Sequence, residues 1–366
     1  MELNILVLPG DGIGAEITRE AVKVLRVVCE VYGHRLTLRD GLIGGASLDV
    51  IGKPISAETL KDAIKADAVL LGAVGLPKYD NLPPAQRAER GLLDLRQAMG
   101  VFANLRPVKA HPALHAASPL KEARIAGTDL LIVRELTGGL YFGQPRGLEG
   151  TGKDRHAYNT MPYSYLEVER IARMAFELAR TRRRKVTSVD KANVLETSQL
   201  WRQVVTEIAV EYPDVALDHL YVDNASMQLV LNPKSFDVLL TENLFGDILS
   251  DEAAVLTGSI GLLPSGSLGP RRADGKLPGL YEPIHGSAPD IAGKGIANPL
   301  GTLGSAAAML DWSFGLKAEA KAIQDAIDHV IQQGPTTPDL PDGKGTTASV
   351  GGAVCVRIKA LAKVSK

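Results

Sequence analysis

The sequence predicts an α/β fold in which a largely parallel sheet carries helices on both faces. Short apolar runs recur along the chain, and most of them are followed by a longer segment with helical spacing. Strands buried on both faces read as continuous apolar runs, and successive parallel strands need a crossover, usually a helix. The runs lie at residues 5–8, 68–71, 130–133, 186–189 and 236–240.

Helical segments complete the pattern. In the first of them, Ile17, Ala21 and Val24 recur at helical spacing and follow the first strand. Gly334 and Pro335 end the last one. The expected helices cover residues 16–32, 165–180, 302–312 and 316–333.

Length and composition describe an ordinary globular protein. At about 150 residues per domain, a chain of 366 residues suggests two domains. Hydrophobic residues make up 45% of the chain, and Lys and Arg number 41 against 42 Asp and Glu. This balance excludes disordered and fibrous classes and provides no overall attraction for nucleic acid. The basic run at 182–185 follows a helical segment, where cations complement the helix dipole, so a solvated face is favoured over nucleic-acid contact.

Cysteine usage and the first residues indicate the compartment. Cys29 and Cys355 are too few for a disulfide framework, and both lie in apolar surroundings. The first ten residues lack the basic start of a signal peptide and lead into a glycine turn. No run reaches the roughly 18 apolar residues of a membrane span. We expect a cytoplasmic protein without membrane contact.

Residues 141–163 differ from the rest of the chain. Glycines alternate with charged residues there, and no apolar period runs through the segment. Long excursions of this kind in compact domains tend to be functional or to contact a partner. We interpret this segment as an arm that reaches a second subunit.

A glycine motif at residues 10–15, called here the glycine turn, matches the dinucleotide-binding pattern G-x-G-x-x-G/A. That kind of site also needs an acid at the end of the second strand, and Asp40, beside Arg39, is a weak candidate. The alternative is a tight strand-to-helix turn whose glycines allow positive φ and close packing. We favour the turn.

Three arginines lie in segments that are candidates for substrate binding. Arg96 and Arg106 stand in neighbouring segments, and Arg134 ends a predicted strand. A guanidinium binds a carboxylate through two parallel hydrogen bonds, so three convergent arginines suit a dicarboxylate substrate. The alternative is that each arginine forms an independent surface ion pair.

Two aspartates point to a metal. Asp247 and Asp251 are four residues apart, and therefore on one face of a helix, where like charges repel. A hard divalent ion such as Mg2+ or Mn2+ would offset that repulsion, and Asp223 is a candidate third ligand. Two solvated acids near a helix start are an equally good interpretation.

Lys191 follows the strand at 186–189 directly. The carboxyl ends of strands in open α/β sheets face the crevice where ligands collect, so this lysine is a candidate general base. A lone lysine is more often simply exposed to solvent.

A long loop rich in glycine and small residues covers 281–299. Its backbone amides are suited to holding an adenosine or pyrophosphate group. An ordered surface loop without a ligand is the alternative.

Five of these segments resemble, in the same order, sequence blocks of the β-decarboxylating dehydrogenases, the family of the isocitrate and isopropylmalate enzymes. The resemblance covers nearly the whole chain, and it implies a bilobed homodimer. The fold would have a large mixed sheet flanked by helices. One lobe, with the adenosine-binding loop, would combine residues 1–101 and 258–366. The other would comprise 102–257, with 141–163 as its dimer arm and with the metal and catalytic residues. The glycine turn would then lie near the nicotinamide and not form a standard Rossmann site. The five blocks are residues 104–107, 134–143, 190–195, 241–252 and 282–299.

The resemblance also implies a role for each matched residue. Arg96, Arg106 and Arg134 would bind the malate carboxylates of a 2-hydroxy dicarboxylate. Lys191 and Asp223 would come from the partner subunit, as the base and as a ligand to both metal and substrate, while Tyr141 would be the acid. The metal would be Mg2+ or Mn2+, held by Asp223, Asp247 and Asp251. Residues implied to bind NAD are Ile13, Glu282, His285, Gly286, Ser287, Ala288, Asp290, Ile291 and Asn298.

Within the family, the sequence favours the branch that acts on 3-isopropylmalate in leucine biosynthesis. Leu92 and Leu93 would contact the isopropyl group and Glu89 would lie near the nicotinamide, whereas an isocitrate-type pocket needs polar or basic groups. Asp290 favours NAD because a carboxylate repels a 2′-phosphate. The implied reaction is oxidation at C2 followed by loss of CO2, yielding 4-methyl-2-oxopentanoate. Homoisocitrate, isocitrate and tartrate remain alternative substrates. The loop at 271–276 is more basic than the family pattern leads us to expect.

Overall fold

The structure, a computed structural model, describes residues 1–273 and 275–364. Asp274 of the basic loop lies outside the described residues. None of the described helices combines the length and apolar character needed to cross a membrane.

The strands are β1 (Glu2–Gly10), β2 (Arg35–Asp40), β3 (Ala68–Ala73), β4 (Ala103–Lys109), β5 (Asp129–Glu135), β6 (Arg146–Glu149), β7 (His156–Asn159), β8 (Lys185–Asp190), β9 (Ala216–Tyr221), β10 (Val238–Thr241), β11 (Pro264–Leu268) and β12 (Gly279–Pro283). The helices are α1 (Gly14–Tyr32), α2 (Gly44–Ile51), α3 (Ala57–Lys65), α4 (Ala88–Met99), α5 (Glu122–Ile125), α6 (Tyr165–Arg180), α7 (Glu196–Ala209), α8 (Val222–Leu231), α9 (Asn243–Ala254), α10 (Leu300–Trp312), α11 (Lys317–Gln333) and α12 (Thr347–Val364).

The chain folds into two compact units. The first contains both termini, and its segments are Met1–Val101, His111–Pro119 and Thr257–Lys366. The second consists of Phe102–Ala110 and Leu120–Leu256. Residues 111–119, which the sequence analysis placed in the second lobe, pack with the first unit.

Strands of the first unit follow the order β2-β1-β3-β12-β11. All neighbouring pairs are parallel except β11 with β12. Helix α1 packs against β3, α10 and α12 and buries its apolar stripe, including Ile17, Ala21 and Val24, completely. It ends at Gly33, whose φ of 75° is the left-handed conformation that glycine adopts without strain. The predicted strand-then-helix start of the chain is therefore confirmed.

The second unit contains a sheet in the order β4-β5-β10-β8-β9. Strand β4 runs antiparallel to β5, and the other neighbouring pairs are parallel. Helix α6 packs on β5, β8 and β10, and α9 packs on β4, β5 and β10. This arrangement places the carboxyl ends of β5, β8 and β10 at one edge of the sheet.

The segment 141–163 contains a two-stranded antiparallel hairpin of β6 and β7. Seven of its eight strand residues are exposed, and Leu148 is 75% exposed. A hairpin with no buried face has no alternating apolar pattern, which is why the sequence showed an excursion and no strands.

The basic run at 182–185 is engaged within the second unit. Arg182 forms ion pairs with Asp129 and Asp237, and Lys185 pairs with Asp218. These contacts tie the end of α6 to the start of β8 and its neighbours, so the run has a structural role in this fold.

Candidate active site

Two strands and a helix of the second unit bring arginines and carboxylates together. Arg106 lies on β4, Arg134 lies near the end of β5, and Asp247 and Asp251 lie one turn apart on α9. The antiparallel register sets Asn104 opposite Arg134, and Arg106 follows two residues later on the same face. These four charged side chains are called the arginine–aspartate cluster below.

Contacts in the arginine–aspartate cluster are short. Arg134 Nη1 lies 2.5 Å from Asp247 Oδ1, and the two terminal nitrogens of Arg106 lie 3.5 Å from Asp247 and Asp251. The arginine side chains are 3% and 9% exposed, whereas those of the aspartates are 35% and 63% exposed. Two buried guanidinium groups therefore offset the repulsion between the aspartates.

Neighbouring groups fix both arginines. Arg134 donates from Nε to the Asn243 carbonyl oxygen at 2.9 Å and from Nη2 to its side-chain oxygen at 2.9 Å. Arg106 donates to Asn104 Oδ1 at 2.6 Å and to Ser250 Oγ at 2.5 Å. A Cβ at Gly246 would lie 2.6 Å from Arg134 Cγ, so the glycine is needed to let this side chain pass.

Tyr141 completes the arginine–aspartate cluster from a short 3-10 turn at Gly139–Tyr141. Its hydroxyl donates to Asp247 Oδ2 at 2.7 Å, and Arg134 lies 5.6 Å from the centre of its ring. Burial, followed by the hydrogen bond to Asp247, raises the pKa of Tyr141 above its ordinary value. The phenol therefore keeps its proton at neutral pH, as a general acid must.

Lys191 and Asp223 form a separate pair in the same unit. Lys191 Nζ donates to Asp223 Oδ1 at 2.5 Å, at the ends of the neighbouring strands β8 and β9. The hydrogen bond from Lys191 holds the pKa of Asp223 below its ordinary value. An ionised carboxylate is the form that binds a metal.

The donor set fits a divalent ion only in part. Asp247 and Asp251 supply the hard oxygen ligands that Mg2+ and Mn2+ prefer. Within the described residues, however, no three His, Cys, Asp or Glu side chains are grouped so as to hold a metal. A complete site therefore needs a ligand from outside this group, which is the role predicted for Asp223 of a second subunit.

Other predicted substrate residues lie in the first unit, around α4. Arg96 donates from Nη2 to Glu282 Oε1 at 2.8 Å, and both side chains are largely buried. Leu92 and Leu93 are half-buried, Leu92 packs against the core beside β3, and Glu89 is exposed. Arg96 is thus an ion-paired side chain in this unit.

A cavity of about 400 Å3 opens beside the glycine turn in the first unit. It is mostly apolar, which suits the flat ring of an adenosine group. Burial lowers the pKa of His285, so its ring is neutral at neutral pH and can stack on a base. Predicted residues that line the cavity are Ile13, His285, Gly286, Ala288, Ile291 and Asn298.

Three predicted cofactor residues lie outside the cavity lining. Glu282 is paired with Arg96, Ser287 donates to the Gly75 carbonyl oxygen, and Asp290 is exposed. Asp339 also lines the cavity, although the sequence patterns did not identify it as a candidate. Its Oδ2 accepts hydrogen bonds from Ser259 and Asn298, but it stands in a proline-rich loop far along the chain, where no motif marks it.

The glycine turn packs directly on the loop at residues 281–299, the segment predicted to bind the cofactor. A Cβ at Gly12, whose φ is +56°, would lie 2.0 Å from the Ser287 carbonyl oxygen, and Ile13 N donates to that oxygen at 2.8 Å. Asp40 is exposed at the end of β2 and does not line the cavity. These contacts support the interpretation of the motif as a tight turn.

Asp11 of the glycine turn is expected to stabilise this part of the first unit. Its carboxylate is 3% exposed and accepts hydrogen bonds from Gly45, Ala46 and Gly75 at 2.7–2.8 Å. Asp11→Ala leaves these amides unpaired, so we expect a loss of about 2 kcal/mol in the free energy of unfolding. Urea denaturation measures it, with the exposed Asp40→Ala as a control. Equal stability of the two variants would contradict this assignment.

Comparisons with known proteins give a consistent result. A family model described as isocitrate/isopropylmalate dehydrogenase matches residues 4–354. The 3-isopropylmalate dehydrogenase of Halalkalibacterium halodurans is 55% identical over 368 residues, which cover 100% of both chains. That of Pseudomonas putida is 56% identical over 365 residues, covering 99% of this chain and 100% of the relative.

Solved structures agree with these relatives. Isocitrate dehydrogenase from Methylococcus capsulatus is 36% identical with a TM-score of 0.86, covering 98% of this chain and 99% of that one. A β-decarboxylating dehydrogenase from Thermococcus kodakarensis is 36% identical with a TM-score of 0.79, covering 99% and 98%. The predicted fold class and the family resemblance are confirmed.

Proposed function

The chain belongs to the isocitrate/isopropylmalate dehydrogenase family, and from this premise we propose that it oxidises and decarboxylates 3-isopropylmalate with NAD. The products are 4-methyl-2-oxopentanoate and CO2, in leucine biosynthesis. The observation that carries the proposal is the arginine–aspartate cluster, which sets two buried guanidinium groups beside two carboxylates and a protonated tyrosine. Relatives more than half identical over their full length support the substrate.

Each side chain has a role in this reaction. Arg96, Arg106 and Arg134 bind the substrate carboxylates. Because Arg134 is paired with Asp247, a substrate carboxylate competes with that aspartate for the guanidinium. Lys191 removes the proton of the C2 hydroxyl, and Tyr141 later protonates the carbon that has lost CO2. When bound, NAD would supply the hydride acceptor for C2, and a divalent ion, which the three aspartates would hold, would supply Lewis-acid polarisation of the substrate.

The active enzyme is proposed to be a homodimer with shared sites, to which one subunit supplies Lys191 and Asp223 for the other. Helices α8 and α9 pack together and expose apolar side chains. Met227, Leu231 and Ile248 are 54%, 49% and 57% exposed. A surface with several exposed apolar side chains is typical of a subunit interface. The exposed hairpin of β6 and β7 serves as the arm.

We place the enzyme in the cytoplasm, consistent with two buried free cysteines.

The specificity for NAD over NADP is assigned to Asp290. This residue is exposed next to Ile291, which lines the cavity of the first unit. A carboxylate accepts hydrogen bonds from the ribose hydroxyls and repels a 2′-phosphate. Asp290→Ala is therefore expected to narrow the NAD-over-NADP ratio of kcat/KM by about 10-fold, roughly one lost hydrogen bond. An unchanged ratio would exclude this role, and Glu58→Ala, at an exposed position on α3, is the control.

The substrate assignment has a direct test. Purified protein with 3-isopropylmalate, NAD and Mg2+ should produce NADH and CO2 in equal amounts, and absence of NADH would refute the function. Homoisocitrate, isocitrate and tartrate are measured in parallel. A contact with one extra methylene group is worth only about 1 to 3 kcal/mol. We therefore expect 3-isopropylmalate to have the highest kcat/KM while related substrates retain some turnover.

A further inference from the structure

Lys191 and Asp223 project from the ends of two paired strands. Asp190 ends β8 and Tyr221 ends β9, and the two residues are partners in the parallel register. Lys191 is the next residue after Asp190, and Asp223 lies in the first turn of α8. The position of the Lys191–Asp223 pair therefore depends on how these two strand ends are held.

One side chain of α7 contacts both strand ends. Arg202 donates from Nε to Asp190 Oδ2 at 2.8 Å and from Nη2 to Asp190 Oδ1 at 2.9 Å. Its guanidinium carbon also lies 4.9 Å from the centre of the Tyr221 ring. Asp190 is fully buried, at 0% exposure, so its carboxylate depends on protein partners.

The contacts of Asp190 extend to the backbone of the residue that follows the lysine. Asp190 Oδ1 accepts a hydrogen bond from Ala192 N at 3.0 Å, and so the carboxylate clamps the turn that carries Lys191. A bidentate arginine–carboxylate pair fixes orientation as well as distance. A lysine has a long, flexible side chain, so the direction in which it leaves the backbone decides where its amine can reach.

We infer that Arg202 is a positioning residue for proton transfer: through Asp190 and Tyr221 it aligns the Lys191–Asp223 pair with the substrate. The inference rests on the proposed function, because it takes Lys191 as the base. A purely structural role, in which Arg202 only neutralises a buried acid, predicts a different result, since it would change stability and leave the chemistry of the folded enzyme intact.

The chain offers a matched control in the same unit. Arg180 forms a bidentate pair with Asp214 and lies 4.5 Å from the centre of the Tyr212 ring, so its contacts are of the same kind. Neither of its partners adjoins Lys191. Asp214 is 35% exposed, whereas Asp190 is fully buried. A change at Arg180 therefore removes contacts of the same geometry, at a more exposed acid and at a site without a catalytic neighbour.

The test compares Arg202→Lys with Arg180→Lys in the intact enzyme. Lysine keeps the charge but loses the paired hydrogen bonds, and a misplacement on the order of 1 Å can cost about 100-fold in rate. We expect Arg202→Lys to lower kcat of the folded enzyme at least about 10-fold while the KM for NAD stays close to that of the parent. Arg180→Lys should leave kcat unchanged. A kcat for Arg202→Lys within about twofold of the parent would overturn the inference.

Two further variants keep the test decisive. If Arg202→Lys does not fold, the double variant Asp190→Asn, Arg202→Met removes the pair without leaving a buried charge unpaired. It should show the same loss of kcat, and parent-like kcat in the folded double variant would refute the inference. Lys191→Ala tests the proposed function separately. If Lys191→Ala loses turnover while the Arg202 variants keep it, only the positioning role fails, and if Lys191→Ala keeps turnover, the assignment of the base fails.

Discussion

Lys191→Ala is expected to lower kcat by about 100- to 10,000-fold, the usual cost of removing a group that transfers a proton in the transition state. That loss corresponds to about 2.7 to 5.4 kcal/mol of barrier height. The KM for NAD should change little, because Lys191 is not among the residues that line the cavity proposed for the cofactor. Lys185→Ala is the control, since Lys185 begins the same strand and pairs with Asp218. Parent-like kcat in Lys191→Ala would contradict the assignment.

Mixed dimers test whether Lys191 acts in the site of the partner subunit. Tyr141 and Lys191 would then come from different chains in every site. A dimer of one Lys191→Ala chain and one Tyr141→Phe chain has one intact site and one doubly defective site. Random reassociation of equal amounts should therefore restore about a quarter of the parent activity, because half of the dimers are mixed and each has one working site. Sites built from a single chain would give no restoration.

The strands that the sequence predicted best are those buried on both faces. Strands β5, β8 and β10 have only buried or nearly buried residues, and their apolar runs stand out for that reason. Strand β4 contains Arg106 and Pro107 and resembles a polar segment, although it pairs along its full length with β5. The antiparallel pairing of β4 with β5 could not be predicted from apolar runs, because β4 carries a polar side chain of the arginine–aspartate cluster.

Residue chemistry identified the candidate site residues, but it did not decide whether they form one site or separate surface contacts. Asp247 and Asp251 were placed on one helix face by their spacing, and α9 agrees. Sequence spacing could not show that Arg106 and Arg134 approach them, because this depends on the register of β4 with β5. The residues alone therefore favoured three independent ion pairs over three convergent arginines, and only the family resemblance favoured convergence.

The glycine turn shows the opposite case, in which a sequence motif predicts a ligand site but its glycines are explained by packing. Its pattern fits a dinucleotide site, yet Gly12 is needed because the Ser287 carbonyl oxygen leaves no room for a Cβ. Asp11, inside the same motif, binds three backbone amides that are 34 to 64 residues away. Contacts of that sequence separation follow from the tertiary fold, and a local pattern cannot predict them.

A second large effect is expected at Glu242, which precedes α9 and is 1% exposed. Its Oε1 accepts a hydrogen bond from Ser198 Oγ at 2.5 Å, and Oε2 has no hydrogen-bond partner among the described residues. Burial raises the pKa of Glu242 from 4.5 to about 7, an effect that the nearby Asp190 strengthens and the Ser198 hydrogen bond opposes. The folded protein thus favours the neutral acid.

This shift makes stability depend on pH in a defined direction. As the pH rises above 4.5, the unfolded chain releases the proton of Glu242 while the folded protein retains it, so the free energy of unfolding falls until the pH exceeds the folded pKa of about 7. Glutamine resembles the neutral acid and does not titrate. Glu242→Gln should therefore be more stable than the parent by about 3 kcal/mol at pH 8, and by less than about 1 kcal/mol at pH 5.

Urea denaturation at both pH values, at one subunit concentration, measures the difference. Trp201 is fully buried on α7 in the same unit, so its fluorescence reports unfolding there. Glu177→Gln, an exposed glutamate on α6, is the control and should change stability by less than about 0.5 kcal/mol at either pH. If Glu242→Gln differed from the parent by the same amount at pH 5 and pH 8, the titration of Glu242 would be excluded as the cause. A difference that grows with pH would instead show that the buried carboxylate of Glu242 destabilises the folded protein at the pH where it is ionised.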